Sequence, residues 1–83
     1  MIHICLKIEC LMKDYQFDEA NTYSGKLQMT SGAFINNNAD FQMWRGKVLL
    51  YTGNEVAGKK HLLQALQFNP DLKDCQKLIK NCK

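Results

Sequence analysis

The stretch that decides the fold is Arg45-Gly46-Lys47-Val48-Leu49-Leu50-Tyr51-Thr52-Gly53-Asn54-Glu55-Val56-Ala57-Gly58-Lys59-Lys60-His61-Leu62-Leu63-Gln64-Ala65-Leu66-Gln67-Phe68-Asn69-Pro70. Its apolar residues recur with helical spacing on both sides of Gly53-Asn54, and no part of it alternates with period two. A glycine sits inside each apolar run, at Gly46 and Gly58. Each costs about 1 kcal/mol relative to alanine in a helix, so the pattern needs a reason to keep them. Close approach of two helix backbones supplies that reason, with Ala65 as a third small residue.

Reading outward toward the N-terminus, the third helix begins near Ala39-Asp40 and carries Phe41, Met43 and Trp44. Ahead of it, Ile4, Leu6, Ile8, Leu11 and Met12 define a first helix over about residues 2–13. Asp14-Tyr15-Gln16 interrupts that helix, and Phe17-Asp18-Glu19-Ala20 restarts it with acids where the helix dipole favours them. The second helix is expected to end at Gly32, with Asn36-Asn37-Asn38 as a loop. Toward the C-terminus, Asn69-Pro70-Asp71 reads as a helix start with Asn69 capping. The last helix places Cys75, Leu78, Ile79 and Cys82 on one face and Lys73, Lys77 and Lys80 on the other. The expected fold is all-α, five helices in two hairpins plus one.

Helix pairs of this length prompt a search for internal repeats. With Pro70 at the terminal position of a repeat of about 34 residues, the repeat spans 39–72. Gly46, Gly58 and Ala65 then fall on its small positions, Leu49 and Leu62 on its bulky ones and Gly53 in its turn. The first half fits with Leu11, Ala20 and Leu27, while Ile8 replaces a small residue and Ser24 a bulky one. This register resembles the tetratricopeptide repeat (TPR) family, and several stretches resemble the middle repeats of its J-domain-bearing co-chaperones. They include Phe17-Asp18-Glu19-Ala20, Arg45-Gly46-Lys47-Val48-Leu49-Leu50-Tyr51 and Gln64-Ala65-Leu66-Gln67-Phe68-Asn69-Pro70-Asp71. The resemblance implies a TPR-type α-solenoid in a single domain. Repeat one would cover about 1–34, a loop 32–38, repeat two 39–72, and a capping helix 71–82.

The resemblance also implies a non-catalytic interaction module that binds a protein segment on its concave face, in the family an acidic chaperone C-terminus. Residues facing that surface would be Lys13, Met43, Lys47, Tyr51, Lys77 and Asn81, with Glu9 beside them. The family's Lys-x3-Asn clamp spacing recurs at Lys77 and Asn81, whereas Cys5 and Glu9 occupy the matching positions of the first helix. The His-Pro-Asp of a J-domain does not occur, because the single proline follows Asn69.

Composition bounds the alternatives. Eighty-three residues with a formal charge of +3 make one small domain that permits, but does not demand, an acidic partner. Ordering the chain costs on the order of 125 kcal/mol, so nearly all apolar side chains are expected to be buried or covered by a partner. Cys5/Cys10 and Cys75/Cys82 do not have zinc spacing, so no metal or cofactor is expected and the thiols are read as free. The opening apolar run is broken by Lys7 and Glu9, too soon for a signal peptide, and no run reaches membrane-spanning length. The chain therefore reads as cytoplasmic. His61 has no serine or cysteine at neighbouring helical spacing, and no phosphate loop occurs, so no enzyme is expected. Trp44 reads as core. Two readings stand behind the interaction module: a constitutive subunit of a multi-subunit complex, since two repeats fall short of three, and a helical-repeat RNA binder using Lys59, Lys60 and the last-helix lysines. Arg45 is the lone arginine and acids nearly balance the lysines, which argues against nucleic acid.

Overall fold

The computed structural model describes residues 2–30 and 32–80, the side chains of Ile2 and Ala33 excepted. These residues form helices α1 (Ile2–Lys13), α2 (Phe17–Thr30), α3 (Gly32–Asn36), α4 (Ala39–Tyr51), α5 (Glu55–Phe68) and α6 (Lys73–Lys80), and no strand. No helix among them is long and apolar enough to cross a membrane.

Two helices end in the same way with different residues. Asn54 N donates to Leu49 O (2.8 Å) and Gly53 N to Leu50 O (3.2 Å), with Gly53 at φ 92°. Gln16 N likewise donates to Leu11 O (2.8 Å) and Tyr15 N to Met12 O (3.1 Å), with Tyr15 at φ 58°. Both are left-handed helix stops that satisfy otherwise orphaned carbonyls. Tyrosine bears the cost of a Cβ there, and its exposed ring packs edge-on against Phe17 at 6.0 Å.

Helix α4 is the centre of the fold. It packs against α1, α2, α3 and α5, whereas α6 packs on α5. Phe41 and Val48 join Ile8, Met12, Ala20 and Ile35 in one core. On another side of α4, Met43 and Leu50 lean on a second core of Leu62, Ala65 and Cys75. The Cys75 thiol donates to Leu62 O at 3.0 Å, and burial pushes its pKa up to about 11. Between the two cores, α4 and α5 cross at their glycines. A Cβ on Gly46 would lie 2.8 Å from Gly58 O, and one on Gly58 would lie 2.9 Å from Gly46 O. The small residues at 46, 58 and 65 are all buried, as the close-approach reading requires.

Two sequence expectations are corrected. There are six described helices, not five, because residues 32–36 are helical where a loop was expected. Gly32 turns the chain at φ 63°, and the short α3 carries Ile35 into the first core, where burial outweighs weak local propensity. Only Asn37 and Asn38 remain as connector, and Asn38 Oδ1 caps α4 by accepting from Phe41 N at 3.0 Å. Second, Asn69 does not cap the last helix. Its N–H closes α5 on Ala65 O (2.9 Å), its Oδ1 accepts from Asp71 N (3.2 Å), and α6 begins only at Lys73. The Cys82 end of the expected apolar face lies outside the described residues. Apolar burial within the chain is incomplete, as the alternative of a covering partner allows: Met29, Phe34 and Val56 are each more than 80% exposed.

Candidate functional site

Helical spacing places Glu9, Met12 and Lys13 on one side of α1, and Trp44, Lys47 and Tyr51 on the facing side of α4. Together they line a groove of about 180 Å³. Met12 forms its floor in the first core, and Trp44 packs half-buried against that core. The Lys47 ammonium lies 4.8 Å from the Trp44 ring centroid, a cation–π arrangement that fixes both side chains. Tyr51 extends the aromatic wall toward Phe17, with centroids 5.2 Å apart. Lys13 Nζ is 3.7 Å from Glu9 Oε1, so that carboxylate has a counter-charge one turn away. Two ammonium groups over an aromatic and thioether floor can hold an extended segment that carries acidic groups and an apolar side chain.

Of the residues expected on a binding face, the groove gathers Lys13, Lys47 and Tyr51. Met43 does not join them. It stands one step round α4 beside Leu50 and leans on the Leu62–Ala65–Cys75 cluster. Lys77 is exposed on α6, away from the groove, and Asn81 lies outside the described residues.

A different side of α4 carries a feature that sequence reasoning missed. Arg45 reaches across to α2, where Nε donates to Gln28 Oε1 (3.0 Å) and Nη1 to Asn21 Oδ1 (2.5 Å) and Ser24 Oγ (3.1 Å). The buried Ser24 hydroxyl donates in turn to Ala20 O at 2.7 Å. Serine at an expected bulky position is therefore explained: a larger residue would displace the guanidinium. Next along α4, Gln42 Nε2 donates to Asn36 O (2.6 Å), and its Oε1 meets His61 Nδ1 at 2.5 Å. Asn36 Nδ2 donates to Gln28 O at 3.0 Å, which links α3 to α2. The lone arginine and the serine were the visible signals. The glutamine and asparagine partners are spread over α2, α3 and α4 and carry no periodicity.

This chain of bonds assigns the histidine tautomer. Asn36 O can only accept, so the Gln42 amide nitrogen faces it and Gln42 Oε1 faces His61. His61 Nδ1 must then carry the proton. Burial holds the imidazole below its ordinary value of 6.5, with the Arg45 and Lys60 charges adding to the effect. The neutral ring is therefore favoured in the folded chain. Stability is complete above pH 6.5 and declines as pH falls through that value, because the unfolded chain takes up the proton first. Thermal unfolding at pH 7.5 and 5.5 should show this decline in the native sequence and a smaller one in His61→Gln.

No protein-family model, curated protein or solved structure matches the chain.

Proposed function

We propose that the chain is a TPR-type interaction module whose α1–α4 groove binds an extended protein segment, without catalysis or cofactor. The single observation that carries this reading is the meeting of Lys13, Lys47, Trp44 and Tyr51 around one groove. The packing order supports the repeat architecture. One pair is α1 with α2, and the next, α4 with α5, docks through α4 onto both helices of the first. The glycine crossing of α4 and α5 sits where that repeat has its small residues. Helix α6 follows as a cap, its Cys75 buried on α5 and its lysines exposed. An acidic segment, such as the C-terminal peptide of a chaperone, is the partner chemistry that two ammonium groups favour.

Trp44, the sole tryptophan, reports occupancy directly by its fluorescence. Titration with an acidic chaperone C-terminal peptide should change the emission with a salt-sensitive midpoint. Lys13→Ala with Lys47→Ala should weaken binding about tenfold, the equivalent of roughly 1.4 kcal/mol. A midpoint indifferent to both lysines and to salt would remove the groove from the argument.

A constitutive place in a larger assembly is the second reading, favoured by the exposure of Met29, Phe34 and Val56. Sedimentation decides between them: a well-folded monomer at high concentration would leave those side chains without a covering subunit.

A further inference from the structure

Three aromatic side chains meet where the α1–α2 turn faces the end of α4. Phe17, the first residue of α2, packs half-buried against the first core. The Tyr15 ring stands edge-on to it, at 86° with centroids 6.0 Å apart, and the Tyr51 ring is tilted by 55° at 5.2 Å. Rings inclined in this way do not close over one another. They wall an open hollow of about 450 Å³, whose other lining residues are Asp18, Glu19 and the neutral Gln16 and Thr52.

Folding alone gives little reason for a tyrosine at position 15. Its ring is 83% exposed, so burial returns little. Its backbone sits at φ 58°, where a Cβ is costly and glycine is the usual residue. Tyr51 is also more than half exposed.

Elsewhere the chain covers aromatic faces with its own ammonium groups. Lys7 Nζ lies 4.6 Å from the Tyr23 centroid, and Lys47 Nζ lies 4.8 Å from that of Trp44. The hollow has no such resident: among the described residues no Lys, Arg or His lines it, and neither Asp18 nor Glu19 makes an ion pair. The helix dipole accounts for acids in the first turn of α2, but not for the rings beside them. Ring faces and carboxylates attract the same ligand, a cation. The rings also select its kind. A bare ammonium is strongly hydrated, and ring faces would leave its N–H groups poorly satisfied. A fully methylated ammonium has no N–H to satisfy and presents methyl groups to the rings.

We propose that this hollow receives the trimethylated ammonium of a methylated lysine on a partner protein, its charge against the Tyr15, Phe17 and Tyr51 rings and opposite Asp18 and Glu19. Tyr51 also lines the α1–α4 groove, so a segment lying there carries a neighbouring side chain over the hollow. The choice of a protein side chain as the source rests on that groove reading; the attraction for the cation does not.

The probe is the acetylated methylamide of trimethyl-lysine, followed by NMR through the ring protons of Tyr15, Phe17 and Tyr51. Three compounds are compared with it: the same derivative of unmethylated lysine, a neutral analogue with a tert-butyl group in place of the trimethylammonium, and choline. The expected result is saturable binding with a Kd on the order of millimolar, about fivefold or more tighter than for the lysine or the neutral analogue. Choline, which lacks most of the methylene stem, should bind about threefold more weakly. Asp18→Asn with Glu19→Gln should at least halve the preference over the neutral analogue. Tyr15→Gly should stay folded, since glycine suits the left-handed position, and should weaken binding about fivefold or more. Equal affinity for the neutral analogue or for unmethylated lysine, or no shift of the three rings, overturns the proposal. Choline binding as tightly as the trimethyl-lysine derivative overturns the assignment to a protein side chain. The acidic-peptide titration scores the groove separately: if that peptide binds and the probe does not, only the present inference fails.

Discussion

Gly46→Ala should lower the melting temperature of the chain by about 8–16 °C, the equivalent of roughly 2 kcal/mol. In an exposed helix the same change would stabilise by about 1 kcal/mol, because alanine is the better helix former. Here the new methyl would meet Gly58 O and Leu62 Cγ, each at 2.8 Å. The leucine can rotate away, but the carbonyl belongs to the backbone of α5, so the two helices must separate. Overpacking of that kind costs about 3 kcal/mol, which exceeds the propensity gain. Gly58→Ala should behave alike, since its methyl would face Gly46 O at 2.9 Å. The double variant should cost less than the sum, because one separation accommodates both methyls. Thermal unfolding followed by circular dichroism measures all three. A rise in melting temperature for Gly46→Ala would mean that the crossing is not as close as described.

The second large effect separates two phenylalanines that look alike in the sequence. Phe41 is fully buried between α4 and the α1–α2 pair, whereas Phe34 on α3 is 83% exposed. Phe41→Ala removes a whole ring from the first core and should cost about 4 kcal/mol. A chain of this size has a total stability on the order of 4–12 kcal/mol, so the variant is expected to lose between about a third and all of it. Phe34→Ala should stay within about 0.5 kcal/mol of the native sequence. Urea titration of the pair gives both numbers. Equal effects would place Phe34 under cover in solution, which is the outcome the larger-assembly reading requires.

The difference between those rings marks where sequence reading stops. Helix positions were legible because burial imposes its own period: Ile8 and Met12, or Leu62 and Ala65, repeat at helical spacing whatever lies across from them. The glycines were legible for the same reason in reverse, as residues whose cost inside a helix demanded an explanation. Helix α3 was not legible, because a helix of five residues has too few positions to show a period, and Ile35 is held by tertiary contact. The Asn69-Pro70-Asp71 signal was present but used differently, in a turn whose Pro70 carbonyl accepts from Gln76 Nε2 at 2.7 Å. Of the candidate groove, Lys13 followed from the face of α1 on which it stands, and Lys47 and Tyr51 from the face of α4. Met43 stands outside the groove because a shift of one position round a helix moves a side chain from one neighbour to the next. The Arg45 network escaped because hydrogen-bonded polar residues from α2, α3, α4 and α5 share no pattern along the chain.

Because α4, α5 and α6 rest on their neighbours in the sequence, and only the docking of α4 on α1 and α2 spans a longer stretch, the topology also has a kinetic side. Helices α4 and α5 are joined by a short turn, and α6 adds directly to α5. Few long loops need closing before contacts begin to compensate for lost entropy, so refolding should be complete within milliseconds. The α4–α5 hairpin, locked at its glycine crossing, is the natural nucleus from which assembly spreads toward both ends.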